Sequence, residues 1–343
     1  MVSFESDYNN GAHPTVLKHL IETNEEQSSS YGRDRFSENA RKLIREACCC
    51  PDADIFFLVG GTQTNSTVIS SLLKPYEGVI SVPSGHIAVH EAGAIEITGH
   101  KVLEIPGKKG KILPKTLETE ILKMEQDPNA CHMVIPGMVY ITFPTEYGTI
   151  YSAGELESIY DICKAHNMIL YIDGARLGYG LSASLNDVTL PFLASHCDCF
   201  YIGGTKVGAL CGEAVVFPQG NAPKHFFTMT KQRGALLAKS RLVGVQFEAL
   251  FTDNLYFEIS KHAITMATAM KGAFVKAGLQ LWNDSPTNQI FVVLDRQMIE
   301  RLKTRGILFE IWEPVDETHK LCRFVTSWAT RFEDILMLEK GLI

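Results

Sequence analysis

Met168-Ile-Leu-Tyr-Ile172 is an apolar run that stops at Asp173-Gly174-Ala175-Arg176, and Cys199-Phe-Tyr-Ile202 is a second that stops at Gly203-Gly204-Thr205-Lys206. Each reads as a buried strand ending in polar residues. In an open α/β sheet ligands bind outside the carboxyl ends of the strands, which is where these two runs place an acid and an amine. A carboxylate at the end of a buried strand is costly unless a cation or hydrogen bonds meet it. Asp173 can therefore hold a cationic partner, such as a protonated ring nitrogen, or else cap a helix or a surface turn. Lys206 follows an aromatic strand and two glycines. If desolvated there, its amine loses its proton more easily and becomes a nucleophile able to form a Schiff base. The alternative is a solvated turn lysine.

Outward from these stretches the same rhythm repeats. Asp54–Val59 is apolar and runs into Gly60-Gly61-Thr62-Gln63-Thr64-Asn65, after which Val68, Ile69, Leu72 and Leu73 recur at helical spacing. A glycine-rich turn entering a helix leaves free N–H groups at the positive end of the dipole, which suits a phosphate. Neither Walker nor dinucleotide-fold spacing is present. Further apolar runs lie at Val79–Val82, Val102–Ile105, Met133–Ile141 and Ala214–Phe217. Helical periodicity covers residues 13–27, 33–49, 113–126 and 153–166. Strands alternating with helices predict an α/β domain with a mostly parallel sheet flanked by helices. From Lys224 to about Ala277 the periodicity predicts nearly continuous helix. Residues 289–338 then read as strand, helix, strand, strand, helix, a small α+β C-terminal domain. The division expected is 1–245 for an N-terminal arm and large domain, and 246–343 for the small domain.

Composition narrows the function classes. The 343 residues are 45% hydrophobic and 21% charged, with a formal net charge of −7, an ordinary globular balance. That charge argues against a general nucleic-acid binder. Nine cysteines, an odd number with three consecutive at Cys48, Cys49 and Cys50 and no Cys-x-x-Cys pair, give no zinc spacing and fit a reducing compartment. No metal site is expected. The polar, acidic start and the absence of any apolar run long enough to span a bilayer predict a soluble, cytoplasmic protein.

The order of a glycine turn, then Asp-Gly-Ala-Arg, then a strand-end lysine resembles the fold-type I enzymes that use pyridoxal 5'-phosphate (PLP). More closely, the chain resembles the threonine aldolase and β-eliminating lyase family. The marks are Phe4-Glu-Ser6-Asp7, Tyr31-Gly32-Arg33-Asp34, Gly61-Thr62, Gly85-His86 with Glu91-Ala-Gly93, Asp173-Gly-Ala-Arg176, Thr205-Lys206 and Arg323-Phe-Val-Thr326. The resemblance implies a large PLP-binding domain in which Lys206 holds the cofactor. Asp173 would pair with its pyridine nitrogen, Arg176 would lie near its ring oxygen, and Gly61 and Thr62 would bind its phosphate. His86 would stack on the ring and relay a proton. By helical spacing alone His90, one turn later, can share a face with His86; the resemblance gives it no role. Ser6 and Arg323 would hold the substrate carboxylate.

Two departures stand out. Phe143 lies where the relatives' Asn-Thr-His-Asn loop carries histidine, with Glu146 and Tyr147 as candidates to take over its work. The turn after the lysine strand reads Lys231-Gln-Arg233-Gly234-Ala235-Leu236, and Arg233 would serve a neighbouring subunit's phosphate. The implied assembly is a homodimer or homotetramer with shared sites. Leu236, Leu237, Leu242, Val243 and Val245 form either its interface or core. The implied reaction is cleavage of threonine, allo-threonine or a related β-hydroxy-α-amino acid to glycine and an aldehyde. The alternatives are β-elimination from another amino acid and a non-catalytic binding module.

Overall fold

The computed structural model describes residues 1–343. A seven-stranded sheet has the spatial order Asp54–Leu58, Glu213–Phe217, Cys199–Gly203, Ile169–Asp173, Ile135–Thr142, Glu77–Ser81, Val102–Glu104. Only Glu213–Phe217 runs antiparallel to both of its neighbours. Consequently Leu58, Thr142, Asp173 and Gly203 end at one edge of the sheet, and the reversed strand brings its first residue, Glu213, to that same edge. Thr142 is registered against Asp173, and Gly203 against Glu213. Apolar side chains cover both faces of the sheet, as expected for strands sandwiched between helices.

The helices start where local chemistry allows. Asp34 accepts from Ser37 N to begin Arg35–Cys48, and Ser152 with Glu155 forms a capping box for Ala153–Ala165. The helix Gly61–Leu72 has no side-chain cap, so its first N–H groups remain open toward the sheet edge. The long helix expected over 224–277 is three: Phe226–Gln232, Arg241–Phe251 and Leu255–Lys276. Gly234 adopts φ +67°, and Asp253 and Asn254 adopt φ 52° and 60°, so left-handed backbone interrupts the helical path twice. Val243 and Val245 of the suspected interface stripe are buried within the chain, whereas Leu242 is exposed.

A three-stranded antiparallel sheet, Glu310–Pro314, His319–Val325 and Gln289–Asp295, packs with Leu255–Lys276 and Phe332–Leu342 around a second core. Val2 and Phe4 belong to that core, because Val2–Ser3 pairs with Ile307–Leu308. No helix is long and apolar enough to cross a membrane.

Candidate active site

The sheet edge opens into a cavity of about 360 Å³, a size that suits a small ligand. Lys206, Asp173, Arg176, His86, Gly61 and Thr62 all line it, and so do His90, Thr142, Glu146, Thr205 and Glu213.

Asp173 is buried and meets only neutral donors. Tyr140 Oη donates to Oδ2 at 2.6 Å, Asn65 Nδ2 donates to Oδ2 at 3.0 Å, and Ala175 N donates to Oδ1 at 2.9 Å. Burial pushes the carboxyl up, yet the field of His86 and the hydroxyl and amide donors outweigh it and hold Asp173 below its ordinary value. The site thus contains a buried carboxylate with no cation in contact. Asn65 is itself fixed, accepting from Tyr171 Oη at 2.8 Å and donating to Glu91 Oε1 at 2.7 Å. Glu91 Oε1 also lies 2.7 Å from His86 Nδ1. An unbroken chain of hydrogen bonds therefore runs from Asp173 through Asn65 and Glu91 to the His86 ring. The rings of His86 and His90 are 5.6 Å apart, sharing a face as expected.

Lys206 lies in the turn between Cys199–Gly203 and the reversed strand. Burial, then the neighbouring Arg176 guanidinium, lowers its ammonium to about 8. Its carbonyl accepts from Tyr179 Oη at 2.6 Å. Glu213 holds the two residues before it: Gly204 N donates to Oε2 at 3.1 Å and Thr205 Oγ1 to Oε1 at 2.7 Å. Burial raises the Glu213 carboxyl to about 8. The Asp173 and Lys206 strand ends interlock through Gly203 N donating to Gly174 O at 2.9 Å. A Cβ on Gly174 would overlap the Tyr201 carbonyl, and one on Gly203 would overlap that of Ala175.

Three expected residues lie off the cavity wall. Ser6 Oγ donates to Asn9 Oδ1 at 2.6 Å and faces a different hollow. Arg323 is buried, ion-paired with Glu310, donating to Gln289 Oε1 at 3.1 Å, with its guanidinium over Trp312 and its Nε unpartnered. Arg233 is exposed at the end of Phe226–Gln232. Arg176 reaches the cavity with two nitrogens committed to Asp7, at 2.7 and 2.9 Å. Phe143 is fully buried and packs beside Gly180, away from the cavity wall, which this loop supplies instead through Thr142 and Glu146.

Sequence reasoning missed Asn65 and Glu213. Asn65 follows Gly61 by four residues, one helical turn, so it falls on the same face. Glu213 is an acid opening the apolar run Glu213-Ala-Val-Val-Phe217, and that was the available signal.

Residues 4–297 match the model of the family described as β-eliminating lyase. Across 99% of its length and 96% of the relative's, the chain is 28% identical to a low specificity L-threonine aldolase of Pseudomonas aeruginosa. Over 78% of the chain and 71% of the relative it is 23% identical to a low-specificity L-threonine aldolase of Candida albicans. Among solved structures, the Leishmania major threonine aldolase superposes with a TM-score of 0.96 at 40% identity, covering 100% of this chain and 98% of that one. A Thermus thermophilus aspartate aminotransferase shares the fold at a TM-score of 0.70 and 14% identity, covering 99% of this chain and 90% of that one.

Proposed function

The chain belongs to the β-eliminating lyase family of fold-type I, PLP-dependent enzymes, and on that premise we propose that it is an aldolase cleaving threonine, allo-threonine or a related β-hydroxy-α-amino acid to glycine and an aldehyde. The observation that carries this reading is the pairing at one sheet edge of a buried carboxylate lacking a cation, Asp173, with a buried, easily deprotonated amine, Lys206.

The residues fit the cofactor. Asp173 has acceptor capacity for a ring N–H and no cation in contact with it. The uncapped start of Gly61–Leu72, with Thr62 beside it, offers phosphate donors. Lys206 would carry the cofactor, Asp173 would hold the ring nitrogen protonated, and Arg176 would sit by the ring oxygen with its pose fixed by Asp7. When bound, PLP supplies the electron sink for a bond broken at the substrate's Cα. His86, locked by Glu91, would lie against the ring. Arg323 suits a planar carboxylate, and its unpartnered Nε–H supports that reading; Ser6 would assist from the N-terminal arm. The domain boundary proposed lies near residue 245, with Val2 and Phe4 of the N-terminal arm joining the core of the smaller part.

The assembly proposed is a homodimer or homotetramer. Arg233 is exposed at the end of Phe226–Gln232, which suits service to a neighbour's site. The nine free cysteines suit the cytoplasm. The deciding experiment is a product assay on a panel of β-hydroxy amino acids, scoring glycine against pyruvate; pyruvate as the main product would refute the aldolase reading.

A further inference from the structure

Aldol cleavage requires an acceptor for the proton of the substrate's β-hydroxyl. The loop after Ile135–Thr142 offers one, because Phe143 turns into the core and Glu146 into the cavity. Resting on the aldolase reading, we propose that Glu146 is the catalytic base for the β-hydroxyl, a buried carboxylate on the cavity wall between the His86 backbone and Thr142. His86 N donates to its Oε1 at 2.9 Å and Thr142 Oγ1 to its Oε2 at 3.0 Å. Each oxygen keeps a second lone pair for an incoming O–H. These two donors come from different elements, so the carboxylate is held rather than free to swing. No ion pair neutralises it. His86 cannot bring both ring nitrogens to the substrate, since Nδ1 is taken by Glu91.

Burial raises the Glu146 carboxyl to about 7, which suits a group that must accept and release a proton near neutrality. The groups facing it are Asp173 from the neighbouring strand, His86 from the helix His86–Val89, and the phenols of Tyr140, Tyr147 and Tyr151. In the step, the β-hydroxyl proton passes to Glu146 and the Cβ–O bond becomes the carbonyl of the aldehyde. The Cα–Cβ bond breaks, leaving its electron pair at Cα, which then takes up one proton to give glycine. Glu146 returns its proton to solvent once the aldehyde has left.

Glycine itself separates this role from a structural one, because exchange of its Cα hydrogen with deuterated solvent involves no β-hydroxyl. In the PLP-loaded protein, Glu146→Gln should lower cleavage of a β-hydroxy amino acid by about a hundredfold or more while glycine exchange stays within about threefold. The limb of the cleavage rate that rises with pH through about 7 should vanish. Apart from activity, infrared titration of the apoprotein should show two protonated carboxyls lost between neutral and weakly alkaline pH in the parent, those of Glu146 and Glu213, and only the Glu213 one in Glu146→Gln. Thr142→Val, which removes one donor to the carboxylate, should move the limb to higher pH, and it tests the idea should Glu146→Gln fail to fold. Cleavage within a few-fold of the parent, or cleavage and exchange falling in parallel, would overturn the assignment of Glu146 alone. A parent enzyme that releases no glycine from any β-hydroxy amino acid would overturn the aldolase reading, and the role of Glu146 with it.

Discussion

Replacing Asp173 by asparagine keeps the shape of the side chain and removes its charge, so the two consequences can be measured apart. The first is on catalysis. At an effective dielectric of ~20, two unit charges in hydrogen-bond contact attract by about 5 kcal/mol, and water at the cavity mouth reduces that to roughly 3–5 kcal/mol. Losing it from the step in which the ring must stay protonated costs about a hundredfold to a few thousandfold in kcat. The second consequence is on the fold. Asp173 Oδ2 accepts from both Tyr140 Oη and Asn65 Nδ2, while Oδ1 accepts from Ala175 N. A new NH2 facing either side meets a donor. Tyr140 can turn its hydroxyl and accept, but Asn65 and the Ala175 amide cannot. One buried donor is left unsatisfied, which costs about 1–3 kcal/mol. The apoprotein should therefore melt a few degrees lower and still be folded, while glycine release by the loaded enzyme falls far more steeply. Asp173→Ala, which removes every acceptor, should match it in kcat and exceed it in destabilisation. Turnover of Asp173→Asn within about tenfold of the parent at full PLP occupancy would refute the reasoning.

Lys206→Ala should abolish the borohydride-trapped PLP adduct, checked by mass of the labelled peptide; a label on another lysine would end the assignment. Gly174→Ala forces a Cβ onto the Tyr201 carbonyl, so the strand ends carrying Asp173 and Lys206 must part. A loss of about 1–3 kcal/mol in denaturant unfolding and weakened PLP binding are expected. Glu213 keeps its proton to about 8 in the folded apoprotein, whereas an unfolded glutamate releases it near ~4.3. The folded state thus binds the extra proton between those values, and stability falls as pH rises across that window. Glu213→Gln should flatten the fall, read from melts at several pH values, and an unchanged slope would refute it.

The part of this site legible from sequence is the part built from strand ends. An apolar run that stops at a polar residue marks both the strand and the edge it points to, and that was enough for Asp173, Lys206 and the Gly61 turn. What depends on partners distant in sequence was hidden. Nothing local says that Arg176 is claimed by Asp7, that Arg323 is claimed by Glu310, or that Asn65 joins Asp173 to Glu91. Helical periodicity also ran unbroken past Asp253 and Asn254, because left-handed backbone at single residues leaves no mark in the hydrophobic pattern. Phe143 shows what the structure adds to a choice that the sequence leaves open. The motif alignment marks it as a departure and leaves Glu146 and Tyr147 as alternatives; the aromatic ring fills core, and Glu146 is the one of the two that lines the cavity.

The beginning of the chain acts as a tie rod. Val2 N and Phe4 N donate to Gly306 and Leu308, and Val325 N donates to Phe4 O. These bonds fasten the first residues to the C-terminal core. Only three residues after Phe4, Asp7 grips Arg176 on the cavity wall and accepts from Asn288. So short a tether has almost no slack. Any swing of the C-terminal part against the large sheet must drag Asp7, and the tug arrives at Arg176. The position of the small part and the grip on the cavity's arginine are therefore set by the same short stretch of chain.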